Sequence, residues 1–278
     1  MRTWRSNLLI SRGITGAWAI ALALVLNACA LMADSDGILV RECVLPADQA
    51  GTLLSRWPIL PIPIALDSAG QFSSEEAGAI IAAADTWNTF FSGSLGVKVF
   101  DYGDAANPRQ SSNAAPSTSS LCGYGMVAGT QYTGSVVIYK QGAWPYTGKP
   151  DAIALTSTCR GPASPLYKSY MSIMELNYQN FFVAGRKQPD LQSIALHEFG
   201  HLLGLNHSCE YPADVKTGIP NCSAPDLNVE YANATLFPSV SFSSSGVGET
   251  RRGLNANDQG RANCLYYDIA PNFGGFTN

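Results

Sequence analysis

The sequence predicts an α+β domain, and three observations carry that expectation. Two segments bear helical signatures: a capping pair at Ser73 and Glu76 ahead of a periodic apolar run, and Pro189-Asp190 ahead of a second run. Between them lie short apolar runs separated by text rich in Gly, Pro, Ser and Asn, the pattern of strands and turns. The chain of 278 residues is 46% hydrophobic and only 14% charged, too apolar for disorder and long enough to bury a substantial core.

Taken in order, Ile59-Leu60-Pro61-Ile62-Pro63-Ile64 alternates apolar residues with proline, which predicts an edge strand. The helix opened by Ser73 runs to about Phe91, with Ile80, Ala84, Trp87 and Phe91 along its buried face. Val97–Phe100 reads as a strand, and residues 103–120 as a surface loop. Strand-like runs follow at Ser135–Tyr139, Ala152–Thr156 and Met171–Leu176. The second helix extends from Asp190 to about Gly204. A second irregular stretch, 208–253, leads to a last short helix near Asn257–Tyr267. Gly123, Gly125 and Gly129 are spaced wrongly for a dinucleotide fingerprint and read as a flexible turn. Asp101, Asp104 and Asn107 could ligate calcium or form a polar turn.

Residues 1–28 read as a targeting segment: Arg2, Arg5 and Arg12 precede an apolar run, Ile14–Leu26, that is short for a membrane span. Leu26-Asn27-Ala28-Cys29 resembles a bacterial lipobox, in which cleavage before the cysteine is followed by its lipidation. The alternative is cleavage near Ala28–Ala30 and release of a soluble protein. The remainder would carry 14 basic and 21 acidic residues, a formal charge of −7 against −4 for the whole chain. Such an acidic chain without a basic stripe is a poor partner for nucleic acid. Removing Cys29 leaves Cys43, Cys122, Cys159, Cys209, Cys222 and Cys264, which in an exported chain suggests three disulfides. Cys209–Cys222 would close a short loop rich in Pro and Gly. Residues 29–56 read as a tether or short leader, and 57–278 as one domain.

All three histidines fall within eleven residues, His197-Glu198-Phe199-Gly200-His201-Leu202-Leu203-Gly204-Leu205-Asn206-His207. His197 and His201 are one helical turn apart, so both imidazoles leave the same face and can reach one small cation. Gly204 stands where the helix must stop and can take the left-handed conformation that brings His207 back as a third ligand. Three protein ligands leave the fourth position of zinc open, which distinguishes a catalytic from a structural site. Glu198 is the one residue with a permanent charge between Leu191 and His207, on a helix apolar on most sides. A buried carboxylate beside a ligand is placed to take a proton from a zinc-bound water. The whole pattern fits the extended zinc motif His-Glu-x-x-His-x-x-Gly-x-x-His.

On these residues the sequence resembles the metzincin zinc endopeptidases, and among them the matrixins. Ser208 after the third histidine, Leu254–Asp258 leading to Cys264-Leu265-Tyr266, and Glu75–Asn88 ending Thr86-Trp87-Asn88 are similar to further matrixin segments. The resemblance implies a twisted five-stranded mixed sheet with two long helices above a small irregular C-terminal subdomain, and a cleft that binds extended peptide. It further implies one catalytic zinc on His197, His201 and His207, Glu198 as general base, and a protein or peptide substrate. The family's Met-turn aligns with Ala234-Thr235-Leu236-Phe237-Pro238, so Leu236 stands where methionine is expected. Phe237, Pro238, Ser239, Val240 and Ser241 would then line the pocket beside the scissile bond. The stretch from Cys209 to Asn233 is longer than is typical there.

Arg41–Asp48 is faintly similar to the cysteine switch, but a free Cys43 would leave an odd five thiols, and a structural disulfide is preferred. The resulting expectation is a monomeric zinc endopeptidase of the bacterial cell envelope, anchored through Cys29 as an outer-membrane lipoprotein facing periplasm or exterior. A secreted soluble form is the alternative for location. A catalytically weak or inactive zinc-binding surface adhesion module is the alternative for function.

Overall fold

The computed structural model of the chain describes residues 43, 45–115, 122, 135–163, 166–211 and 218–267. The targeting segment 1–28, Cys29, and the glycines 123, 125 and 129 lie outside these residues. Strands β1 (Ser55–Arg56), β2 (Ile62–Asp67), β3 (Phe100–Asp101), β4 (Gln110–Ser111), β5 (Val136–Gln141), β6 (Ala154–Ala163) and β7 (Tyr167–Asn177) form one mixed sheet. Five positions cross it. The short strands β3 and β4 share the outer edge of β2, followed by β2, β5, β7 and β6, with β1 beside the start of β7. Every pairing is parallel except β6 with β7. The α+β architecture and the mixed sheet therefore agree with expectation.

The place of β2 does not. Residues 59–64 were expected to form an edge strand, yet β2 lies inside the sheet between β3/β4 and β5. Pro63 is tolerated there for a local reason. Ile62 and Leu66 donate toward the β3/β4 side, to the carbonyls of Val99 and Arg109 at 2.8 and 2.9 Å. Pro63, with no N–H to give, faces the other side, where the ladder to β5 begins only at Ile64.

Helix α1 (Ser74–Leu95) opens with the anticipated capping box. Glu76 N–H donates to Ser73 Oγ at 3.2 Å and Ser73 N–H to Glu76 Oε2 at 2.7 Å. The helix outruns its expected end at Phe91 and stops at Gly96, whose φ of 70° is the left-handed cap. Ile80, Ala84, Trp87 and Phe91 are fully buried. They meet helix α2 (Leu191–Leu203) and the inward residues of the sheet, Ile62, Ile64, Leu66, Ile138, Met174 and Leu176, in one core. The 208–253 stretch holds a short helix α3 (Val229–Ala232), and helix α4 (Ala256–Tyr266) closes the described chain.

Residues 47–56 pack on the end of helix α2. A 3-10 turn at Ala47–Thr52 and strand β1 are part of the fold, with Gln49, Thr52 and Ser55 fully buried. Their backbone groups explain why: Leu54 N–H donates to Gly204 O at 2.9 Å and Asn206 N–H to Thr52 O at 2.7 Å. These residues thus clamp the end of α2. Three disulfides link Cys43 to Cys264, Cys122 to Cys159 and Cys209 to Cys222, the last as anticipated from its short loop. Cys43 is therefore tied to α4.

Candidate metal centre

Helix α2 carries the histidines, and its two ends show how it is held. Asp190 caps the N-terminus by accepting from Ser193 N–H at 3.0 Å, and it pairs with Arg252. At the other end Gly204 adopts φ 107°. Leu205 N–H donates to Gly200 O and Gly204 N–H to His201 O, both at 3.0 Å, the bond pair of a Schellman turn. The next carbonyls are met by side chains: Trp57 Nε1 donates to Leu202 O at 2.7 Å, and Tyr266 OH to Leu203 O at 2.8 Å. Trp87 Nε1 reaches Leu196 O from α1 at 3.0 Å. Glycine is required at 204 twice over, because a Cβ there would also lie 1.7 Å from Ser55 O.

This frame brings His197, His201 and His207 together. His201 Nε2 lies 3.0 Å from His197 Nε2 and 3.2 Å from His207 Nε2. On two of the rings the other nitrogen is committed: His197 Nδ1 to Thr235 O and His201 Nδ1 to Leu205 O, each at 2.8 Å. A carbonyl accepts only from Nδ1–H, so Nε2 carries the lone pair, the tautomer a ligating imidazole needs. Facing lone pairs at these separations repel one another unless a cation lies between them. A tetrahedral zinc with Zn–N of about 2.0–2.1 Å spaces its nitrogens by about 3.3 Å, so the donor set fits that ion. Burial lowers His197 to about 4 and His201 to about 3, and drives His207 well down, so all three are neutral near neutral pH. Among the described residues this is the one cluster of His, Cys, Asp or Glu close enough to hold a metal.

Glu198 is 5% exposed. Burial raises its carboxyl to about 7, opposed by hydrogen bonds from Thr156. Thr156 Oγ1 donates to Glu198 Oε2 at 2.7 Å and lies 3.2 Å from Glu198 O. Sequence reasoning missed Thr156, which lies 42 residues away on β6.

Against Gly200 of the histidine helix, Leu236 is fully buried. Its Cδ2 is 2.6 Å from where a Cβ on Gly200 would stand, so the glycine inside the motif makes room for this side chain. Asp258 on α4 holds the turn by accepting from Thr235 N–H at 2.7 Å and from Leu236 N–H at 3.3 Å. Buried Arg261 donates to Asn206 O at 2.7 Å and pairs with Asp258 at 3.3 Å, joining the third-histidine loop to the turn. Ser208 is fully buried: its N–H donates to Leu236 O, its Oγ to Tyr231 O, and its carbonyl accepts from Gln49 Nε2. Of these supports, Asp258 had a signal in the Asn255–Asp258 capping pattern, while Gln49 and Arg261 had none.

The residues expected to line the pocket follow directly on Leu236. Phe237 lies under the Arg251 guanidinium, 5.2 Å from ring centroid to Cζ. Pro238 is half-buried and Val240 packs on the main core. Ser239 Oγ meets Tyr211 OH of the inserted stretch at 3.0 Å, and Ser241 N–H donates to Glu249 Oε1 at 3.1 Å. Asp101 pairs with Arg109 and accepts from Gly103 N–H, and Asp104 accepts from Ala106 N–H, the bonds of a polar turn.

A helix bearing two histidines one turn apart, a glycine turn, a third histidine and a buried glutamate, set under a mixed sheet, defines a metzincin-like zinc site. The matrixin family model, that of the M10 peptidases, matches residues 75–219, just over half of the chain, from the start of α1 past the third histidine. The chain therefore belongs to the matrixin family of zinc metallopeptidases. No curated protein matches it.

Proposed function

We propose that the protein is a zinc-dependent endopeptidase acting on extended protein or peptide substrates as a monomer. The observation that carries this reading is the convergence of three neutral, Nε2-presenting imidazoles next to a buried glutamate. His197, His201 and His207 would hold the zinc, which when bound supplies Lewis-acid polarisation of the substrate carbonyl and acidifies a water. Glu198 takes the proton from the attacking water and delivers it to the leaving amine nitrogen. Phe237 to Ser241 line the pocket for the side chain beside the scissile bond. The inserted stretch shapes that wall through Tyr211 and Ser239.

The protein is exported, and Cys29 is its lipid anchor in the bacterial envelope, facing periplasm or exterior. Three disulfides suit such an oxidising compartment. Fatty-acid labelling of the expressed protein is expected to vanish in Cys29→Ala; labelling that persists refutes the anchor.

The peptidase reading is tested with a mixed peptide library and the pair wild type and Glu198→Ala. Cleavage by wild type and a loss of roughly 10²–10⁴-fold or more in the variant is expected, with zinc retained by both. If both bind zinc and neither cleaves, the endopeptidase reading fails and the binding-module alternative takes its place.

A further inference from the structure

Edge strand β6 contributes one hydroxyl to the metal centre, and the zinc motif does not account for it. Thr156 is paired with Met174 of β7, so its backbone position is set by the sheet rather than by α2. Its Oγ1 lies 2.7 Å from Glu198 Oε2. A hydroxyl carries one proton, and a carboxylate is its stronger acceptor, so the shorter contact is the hydrogen bond that matters.

We propose that Thr156 is a positioning residue for Glu198: its hydroxyl fixes Oε2, leaving Oε1 as the oxygen that exchanges the proton. This rests on the peptidase reading above and deepens it. A free glutamate samples several rotamers, and a base displaced by about 1 Å loses on the order of 10²-fold in rate even when substrate binds normally. Because the tether comes from the sheet, it is independent of the bonds that hold α2 in place. Metal binding is separate too, since His197 and His201 are oriented by carbonyls of Thr235 and Leu205 rather than by Thr156.

The test compares wild type, Thr156→Val and Thr156→Ser. Valine keeps the branched shape and strand preference while removing the hydroxyl; serine restores the hydroxyl on a smaller side chain. Thr156→Val is expected to lower kcat about 10²-fold with KM, zinc content and melting temperature little changed, and Thr156→Ser to recover kcat to within several-fold of wild type. In crystals of the metal-free proteins, the Glu198 carboxylate should occupy one rotamer in wild type and Thr156→Ser, and several in Thr156→Val. A Thr156→Val enzyme with wild-type kcat, or a Thr156→Ser enzyme as slow as Thr156→Val, overturns the proposal. An inactive wild type would count against the peptidase reading instead, and the rotamer comparison would still decide the role of Thr156.

Discussion

Leu236 and Gly200 show how closely single residues are matched around the metal centre. The two occupy one space: a Cβ on Gly200 would stand 2.6 and 2.9 Å from the two methyl carbons of Leu236. Gly200→Ala is expected to cost about 1–3 kcal/mol through overpacking, and Leu236→Ala about 2–5 kcal/mol through the cavity it leaves. The double variant should be more stable than the sum of the two losses, because each change makes room for the other. Urea unfolding of the four proteins measures this coupling; strict additivity would show that the two side chains do not share the space. Leu236→Met, close in volume, should cost less than about 1.5 kcal/mol. The histidines, Glu198 and Gly204 were legible in the sequence because a helical turn and its cap are local, and local spacing fixes where they point. Thr156, Gln49 and Arg261 were not, because they act across 42, 159 and 55 residues from a strand, a 3-10 turn and a helix whose placement only the assembled fold decides.

At the scale of elements, helix ends and strand neighbours behaved differently. The capping pair at Ser73 named the correct start, and Pro189-Asp190 placed the second within two residues of Leu191, because a cap is a bond over three residues. The edge assignment for β2 failed because proline limits only one side of a strand, and the other side of β2 found β3 and β4. These caps also carry charge. Burial raises the carboxyls of Glu76 and Asp190, but hydrogen bonds and ion pairs outweigh it: from Lys140, Ser73 and Tyr178 on Glu76, and from Arg252 and Ser193 on Asp190. Both therefore titrate below their ordinary values of 4.5 and 3.8. A depressed carboxyl stabilises the fold fully above its unfolded value and loses that contribution as the pH falls through the folded one. Stability should thus begin to drop as the pH falls below about 5 and keep dropping through the depressed folded values, and the drop should shrink in Glu76→Gln and Asp190→Asn. Denaturant unfolding across that range measures it; an unchanged slope in both variants would remove these groups from the account. Asp190→Ala should further cost about 1–2 kcal/mol at neutral pH through the lost cap.

For the whole molecule, the Cys43–Cys264 bridge matters most, since its two cysteines are 221 residues apart. In the chain-entropy account a bridge closing so long a loop stabilises by about 5 kcal/mol, more than a short one such as Cys209–Cys222. The double replacement Cys43→Ser with Cys264→Ser should therefore lower unfolding stability more than the same change at Cys209 and Cys222. Equal losses would contradict the loop-length argument. This bridge also ties the segment before the 3-10 turn to α4, while that turn and β1 grip the end of α2. The number of bridges was legible from cysteine parity; two of the pairings were not, because they join distant parts of the chain. The sheet, the two helices and the clamps around α2 serve one arrangement, three imidazoles with lone pairs converging beside a glutamate. The most direct test of its meaning is a zinc titration of the metal-free protein followed by peptide cleavage. Activity absent before zinc and rising to a break at about one equivalent per chain is the predicted result. Cleavage that proceeds without metal, or zinc that binds at about one equivalent and restores none, would contradict it.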